Sequence, residues 1–336
     1  MPYIPPQQIQ QQLLANFRAR HALSTQSTYK SPQNHYFQYC RIYSIDPYLF
    51  SEQRIREFIA YKDCFGTLGP GAMRTHKYAI RAISLSMGLN LDVSEKAMPL
   101  LAGDIAGKRR LKPPGQNASK PIDITILRQM FRYLPTSDYD SQVWRALLAM
   151  NHDLIKRASE TTHTMGVQHS PQLFQLTWNQ GQSFPLPIIP QSLTYHYKIG
   201  KTNLDRKEKS ATAICNCHLG ICAVHEIHLL LRWRHQLQLD DYVFVLAPNI
   251  LVTYTLLSDK LKSLSKSIGV DPVRYGKSHG LRKGGAQDQV EQGIPALVIA
   301  NQASWASLRS MKPYFDSISE SRKIAIYSKN KNKINK

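Results

Sequence analysis

The feature that most constrains this chain is a change of texture near its first third. KRRLKPPGQNASKP (108–121) packs three prolines, a glycine and five basic residues into fourteen positions. Such a stretch reads as an extended basic linker. It divides the 336 residues into two parts, each of which must build its own core. Before it the pattern is helical throughout. After it helical and strand-like runs mix.

The first part (1–107) predicts five helices. QQIQQQLLANFRA (7–19) is the first, and residues 24–45 the second, with Tyr36, Phe37, Cys40 and Tyr43 at helical spacing. SEQRIREFIAYK (51–62) has Ser51 as N-cap and Ile55, Phe58 and Ile59 on one face. Residues 71–89 repeat Tyr78, Ile80, Ile83 and Leu85, with Arg74, Lys77 and Arg81 on another face. Residues 93–107 predict a shorter helix broken at Pro99. In the second part, 122–134 and 139–160 read as helices. LFQLTW, SFPLPII, LTYHYKI and ATAIC, spread over 173–215, are β-like runs. Helix returns at 225–237, a short strand is expected at 241–246, and several short helices at 252–327. The order is mixed α+β rather than alternating βαβ. The closing SKNKNKINK (328–336) is a low-complexity basic tail, expected to be disordered.

Charge narrows the partners. Lys and Arg total 43 against 23 acidic residues, a net of +20. Residues 1–112 hold +8 of it and the remainder +12, so the surplus spans the whole chain. A polyanion is the expected partner, with Arg74, Lys77, Arg81, Lys108, Arg109, Arg110 and Lys112 as candidate phosphate contacts. No run approaches the roughly 20 apolar residues of a membrane helix. The opening MPYIPPQQIQQQ has no secretory pattern. Five cysteines do not suggest a disulfide framework. An intracellular, DNA-associated protein is expected, with no membrane and no small-molecule substrate.

One constellation carries chemistry. SHGLRKGGAQ (278–287) places His279 and Arg282 one helical turn apart, followed by the small residues Gly284, Gly285 and Ala286. Trp305 follows 23 residues after Arg282, and Tyr314 nine after that, in WASLRSMKPYF. Upstream, LIKRASE gives Arg157, Ser159 and Glu160, and YKIGKTNLDRKEK offers Lys201. A phosphodiester attacked by an oxygen gains charge on its non-bridging oxygens. Two guanidiniums meet that charge with paired donors. A histidine can assist proton movement, and an indole N–H can only donate, which suits an anionic oxygen.

Together these motifs resemble the tyrosine recombinases, the phage or λ-integrase family, over roughly residues 20–325. The resemblance implies an all-α, SAM-like core-binding domain (1–107), the linker, and a mixed α+β catalytic domain (122–327). It implies a clamp around duplex DNA and homotetramers on paired sites. It implies that Tyr314 attacks the phosphate to give a 3′-phosphotyrosyl bond, with Arg157, His279, Arg282 and Trp305 on the phosphate. Lys201, on a β-hairpin, would be the general acid, and neither metal nor cofactor is needed. Glu160 would orient a catalytic cation from behind. The Gly-Lys-Thr-Asn context resembles eukaryotic mobile-element recombinases of the Crypton and DIRS type, for which the nucleus would be the location. Lys198, Lys207 and Lys209 compete with Lys201, and Tyr327 stands too far from Trp305 to replace Tyr314. Three other readings stay open: a non-catalytic DNA-binding protein descended from such an element, a type IB topoisomerase-like enzyme, and a structural zinc-binding nucleic-acid module built around Cys215 to His225. Cys215, Cys217, Cys222 and His225 are of zinc-ligand type, but their spacing is not a standard one. CAVHEIHLLL instead resembles the segment that opens the helix after the family's hairpin.

Overall fold

In the computed structural model the described residues are 23–66, 68–111, 119–163, 171–172, 175–178, 190–197, 208–215, 221–234, 241–305 and 311. The chain divides into two compact units, Met1–Gln116 and Asn117–Lys336. Among the described residues no helix is long and apolar enough to cross a membrane.

The described part of the first unit is helical: α1 (Leu23–Ile42), α2 (Glu52–Cys64), α3 (Pro70–Ser86) and α4 (Pro99–Leu111). Ser51 caps α2, its Oγ accepting from Arg54 N at 3.2 Å. The core joins Tyr36 and Tyr39 of α1 to Ile55 and Phe58 of α2, Ile80 of α3 and Leu101 of α4. The Tyr36 ring meets Phe58 edge-on at 5.3 Å. Pro99 does not break a helix but begins one. At the first helical position its missing N–H leaves no bond unmade. Glu52 Oε1 accepts from Leu101 N at 2.8 Å and so helps to cap α4.

Two sequence expectations change here. Lys108, Arg109 and Arg110 form the last turn of α4 rather than an extended linker, where cations suit the helix's negative end. On α3 Ile80 and Ile83 are covered and Arg74 is exposed as predicted, but Lys77 and Tyr78 change places. Tyr78 is 42% exposed, whereas Lys77 is only 5% exposed and lies with Met73, Ile80 and Ile83 on the covered side. Its ammonium reaches the Tyr78 ring at 5.2 Å, and burial pushes its pKa down. The predicted helix 7–19 and the tail 328–336 lie outside the described residues.

The second unit begins with α5 (Ile124–Phe131) and α6 (Tyr139–Asp153), followed by a 3-10 turn at Ala158–Glu160. A three-stranded antiparallel sheet has the order β1 (Leu176–Trp178), β2 (Ser192–Tyr197), β3 (Lys209–Ile214), with Tyr195 opposite Ala211 and Tyr197 opposite Lys209. Next come α7 (Ala223–Arg232), the hairpin β4 (Val245–Leu246) and β5 (Ile250–Leu251), α8 (Tyr254–Ser267), α9 (Pro272–Tyr275), α10 (His279–Glu291) and α11 (Ala296–Gln302). The fold class is mixed α+β, as the sequence predicts. Helix α6 is the centre: it is buried along most of its length and packs against α7 and α10. It stops seven residues before the predicted end. Ile155 there adopts φ +52°, a left-handed conformation that a β-branched residue takes only under strain.

The small residues of α10 now have a cause. A Cβ on Gly284 would stand 1.8 Å from the Ile122 carbonyl oxygen, and one on Gly285 1.9 Å from that of His152. These glycines let α10 lie directly against the backbone of the end of α6 and of the segment before α5. Gly285→Ala is therefore expected to destabilise the fold by about 1–3 kcal/mol or more, since rigid backbone must yield. The urea midpoint should fall with an unchanged slope; an unchanged midpoint would show that the helices are not so closely packed.

Candidate active site

The site assembles where the end of α6, the start of α10 and the end of α11 meet. Arg157 caps the short turn after α6. Its Nη1 donates to Glu160 Oε1 at 2.8 Å, and its backbone N to Glu160 Oε2 at 3.0 Å. Glu160 is 2% exposed, and Tyr195 Oη of β2 donates to its carbonyl at 3.0 Å. The same carboxylate thus caps the turn and fixes the Arg157 guanidinium.

Arg282 is fully buried. Its Nη1 donates to the Ile155 carbonyl and its Nη2 to the Ala303 carbonyl, each at 2.6 Å. Its guanidinium carbon lies 5.2 Å from the Trp305 ring centre, in cation–π range. Trp305 follows Ser304, whose φ of +53° turns the chain out of α11. The Trp305 N donates to Ala300 O at 2.9 Å. His279 opens α10, and its pKa is pushed down to about 4, first by burial and then by the nearby Lys283, Arg282 and Arg157. A neutral imidazole, able both to donate and to accept, is the form present at pH 7.

Four of the sequence-predicted residues, Arg157, His279, Arg282 and Trp305, are therefore neighbours, with Glu160 behind them. Lys201 lies outside the described residues, as do Lys198 and Lys207; β2 and β3, which flank that segment, pair antiparallel. Tyr314, Tyr327 and Lys112 also lie outside. Lys209 is described, on β3 opposite Tyr197. Of the basic residues assigned to DNA, Arg74, Arg109 and Arg110 are exposed and Arg81 partly so. Lys108 is ion-paired with Asp63. Cys222 caps α7, its Sγ accepting from His225 N at 3.3 Å, and lies 3.8 Å from Cys215 Sγ. Cys217 is outside the described residues, among which no group of three metal-ligand types converges.

Sequence reasoning missed what holds this site. His152, at the end of α6, is buried between two carboxylates: Nδ1 lies 2.9 Å from Asp153 Oδ1 and Nε2 2.9 Å from Asp288 Oδ2. Asp288 belongs to α10 and also accepts from Ile124 N at 2.7 Å. Burial alone would lower the pKa of His152, but hydrogen bonds and charge from Asp153 and Asp288 outweigh it and hold the pKa at about 10. Lys156, between Ile155 and Arg157, is the other omission. No periodicity marks either residue, because each has a partner remote in sequence, Asp288 for His152 and Gln302 for Lys156.

The His152 pKa is raised on folding, so the stability it brings is fully present below its unfolded value near 6.5 and is lost as pH rises through about 10. Urea unfolding from pH 7 to 10.5 should show wild-type stability falling more steeply than that of His152→Gln. Parallel pH curves would remove the ionised triad from the account.

No protein-family model matches the sequence, and no curated protein matches it. Solved structures do. The Tn1549 transposon integrase in complex with transposon right end DNA superposes with a TM-score of 0.60 at 10% identity, over 95% of this chain and 98% of that one. The XerH site-specific recombinase bound to palindromic difH substrate, a post-cleavage complex, gives 0.59 at 15% identity over 88% and 77%. A lambda integrase dimer bound to a COC′ core site gives 0.56 at 12% over 93% and 77%. What this chain shares with them is the fold.

Proposed function

We propose, from the premise that the chain has the tyrosine recombinase fold, that it is a site-specific DNA recombinase or integrase. It would cleave and rejoin DNA strands through a 3′-phosphotyrosyl intermediate. The observation that carries this reading is the convergence of Arg157, His279, Arg282 and Trp305 from three separate segments onto one cationic spot. Two guanidiniums, a neutral imidazole and an indole N–H make a donor set for a phosphate. Duplex DNA is the partner in this reading, bound as tetramers on paired sites.

The chemistry follows from that donor set. Arg157 and Arg282 take the non-bridging oxygens and meet the charge that grows there. Their positions are set beforehand, by Glu160 in one case and by two carbonyls in the other. Because Arg282 is fully enclosed, a covering group must move aside before a phosphate reaches it. His279 and Trp305 supply further donors, and neutral His279 can also accept the tyrosine proton. Tyr314 Oη attacks phosphorus, the Tyr–P bond forms, the P–O5′ bond breaks, and Lys201 protonates the leaving 5′ oxygen. The phosphodiester energy is kept in the new bond, so religation needs only the reverse attack by a 5′ hydroxyl.

The test is covalent trapping on nicked suicide duplexes that carry candidate element ends. Wild type should give a denaturation-resistant protein–DNA adduct. Tyr314→Phe should give none yet still bind the duplex, and Arg282→Ala should slow adduct formation by about 10²–10³-fold. Salt-sensitive binding without an adduct in wild type would instead favour a DNA-binding protein that does no strand chemistry.

A further inference from the structure

Lys156 is a buried ammonium with no role in the chemistry above. It is fully buried, and among the described residues no carboxylate lies within ion-pair distance. Its Nζ donates to the Gln302 carbonyl at 3.0 Å and lies 3.9 Å from the centre of the Tyr197 ring. Burying an uncompensated charge is costly, so these two contacts are its compensation.

The geometry says what the contacts do. Gln302 is the last residue of α11, where carbonyls lack helical partners. Lys156 takes the Gln302 carbonyl and Arg282 takes the next one, Ala303. The Tyr197 hydroxyl, whose ring lies beneath the ammonium, hydrogen-bonds Ser304 Oγ. Three consecutive residues, Gln302, Ala303 and Ser304, are thus gripped by Lys156, Arg282 and Tyr197. Trp305 comes next, with its ring over Arg282.

We propose that Lys156 is a positioning residue: its charged ammonium clamps the end of α11 and so sets how Trp305 covers Arg282. The inference rests on the proposed function only in taking Trp305 and Arg282 as members of the working site. The clamp is strongest when Lys156 is protonated. A neutral amine keeps a weak N–H donor but loses the attraction to both the carbonyl and the ring. Among the described residues, the charged or titratable groups around it are Glu160, Arg157, Arg282, Lys209 and Tyr197. Burial first, then Arg282, Arg157 and Lys209, push its pKa down to about 7, against the opposing pull of Glu160. Tyr197 is shifted upward by burial and His279 down to about 4, so neither ionises in that window. The clamp loosens across neutral pH.

The full chain labelled with 5-fluorotryptophan reads this directly. There are four tryptophans, and Trp305→Phe identifies the resonance of Trp305. In wild type that resonance should move with a midpoint of about 7. In Lys156→Arg, which keeps its charge, it should not move in this range, and Lys156→Met should hold it near the high-pH position. A Trp305 resonance that ignores pH, or that titrates identically in Lys156→Arg, overturns the proposal. A second readout uses adduct formation at sub-saturating DNA, where ionisations of the free protein appear. The ratio of Lys156→Arg to wild type should rise about tenfold between pH 6 and pH 8, the loss expected of a group that must stay protonated. A ratio flat with pH would reduce Lys156 to ordinary packing. Absence of any adduct in wild type counts against the proposed function, and the fluorine titration then decides this inference alone.

Discussion

Everything at the site depends on enclosing one guanidinium. An arginine taken wholly out of water loses several kcal/mol of hydration, and only well-placed acceptors offset the loss. Arg282 finds them in two carbonyls, Ile155 and Ala303, at 2.6 Å each. These carbonyls belong to segments that the chain has to bend sharply to present. Ile155 sits at φ +52°, and Ser304, just past Ala303, at φ +53°. Strain of this kind, about 1–3 kcal/mol per residue, persists only where the surroundings over-determine it. The glycines of α10 belong to the same arrangement, because without them the helix bearing Arg282 would stand too far from α6.

The second consequence is electrostatic. Among the described residues, Lys156, Arg157 and Arg282 lie around the Glu160 carboxylate, which pairs with Arg157. Burial first, and then the positive charge of Lys283, Arg282 and Arg157 at His279 and of Arg282, Arg157 and Lys209 at Lys156, depresses the basicity of both groups. A site kept in that condition is poised for an anion, whose arrival relieves repulsion as well as adding hydrogen bonds. This charge balance is what supports the proposed reading of the site.

How much of this was legible in the sequence depended on whether the cause was local. Ser51 and the Ile55–Phe58–Ile59 stripe could be read because capping and periodicity act within a few residues. The α10 cluster could be read because a helical turn fixes the spacing of His279 and Arg282. Pro99 was misread because a proline that breaks a helix and one that starts it look alike until the chain before it is seen. Lys77 and Tyr78 were exchanged because a long side chain can bury its stem while an aromatic ring beside it stays in water. Lys156 and His152 gave no signal. Their partners, Gln302 and Asp288, lie more than a hundred residues away and are set by the tertiary fold alone.

Asp153 shows why the tertiary fold converges on this point. Its carboxylate takes His152 on one oxygen and the Ala223 N–H, at the start of α7, on the other at 2.7 Å. Its carbonyl takes Gln289 of α10 and Gln302 of α11, each at 2.7 Å. One residue at the end of α6 therefore ties three other helices to the terminus where the Arg157 turn begins. An α-helix leaves its last carbonyls without partners, and here the vacancy is filled by side chains from the elements that carry the site. Two kinds of support result. The His152–Asp288 bond, charged and sealed from water, is insensitive to pH around neutrality and holds α10 in place. The Lys156–Gln302 bond, with a cation destabilised first by burial and then by neighbouring cations, is sensitive there. The residues on α10 are thus held by contacts fixed around neutrality, while the turn that carries Trp305 over Arg282 is held by several contacts of which one, from Lys156, is adjustable.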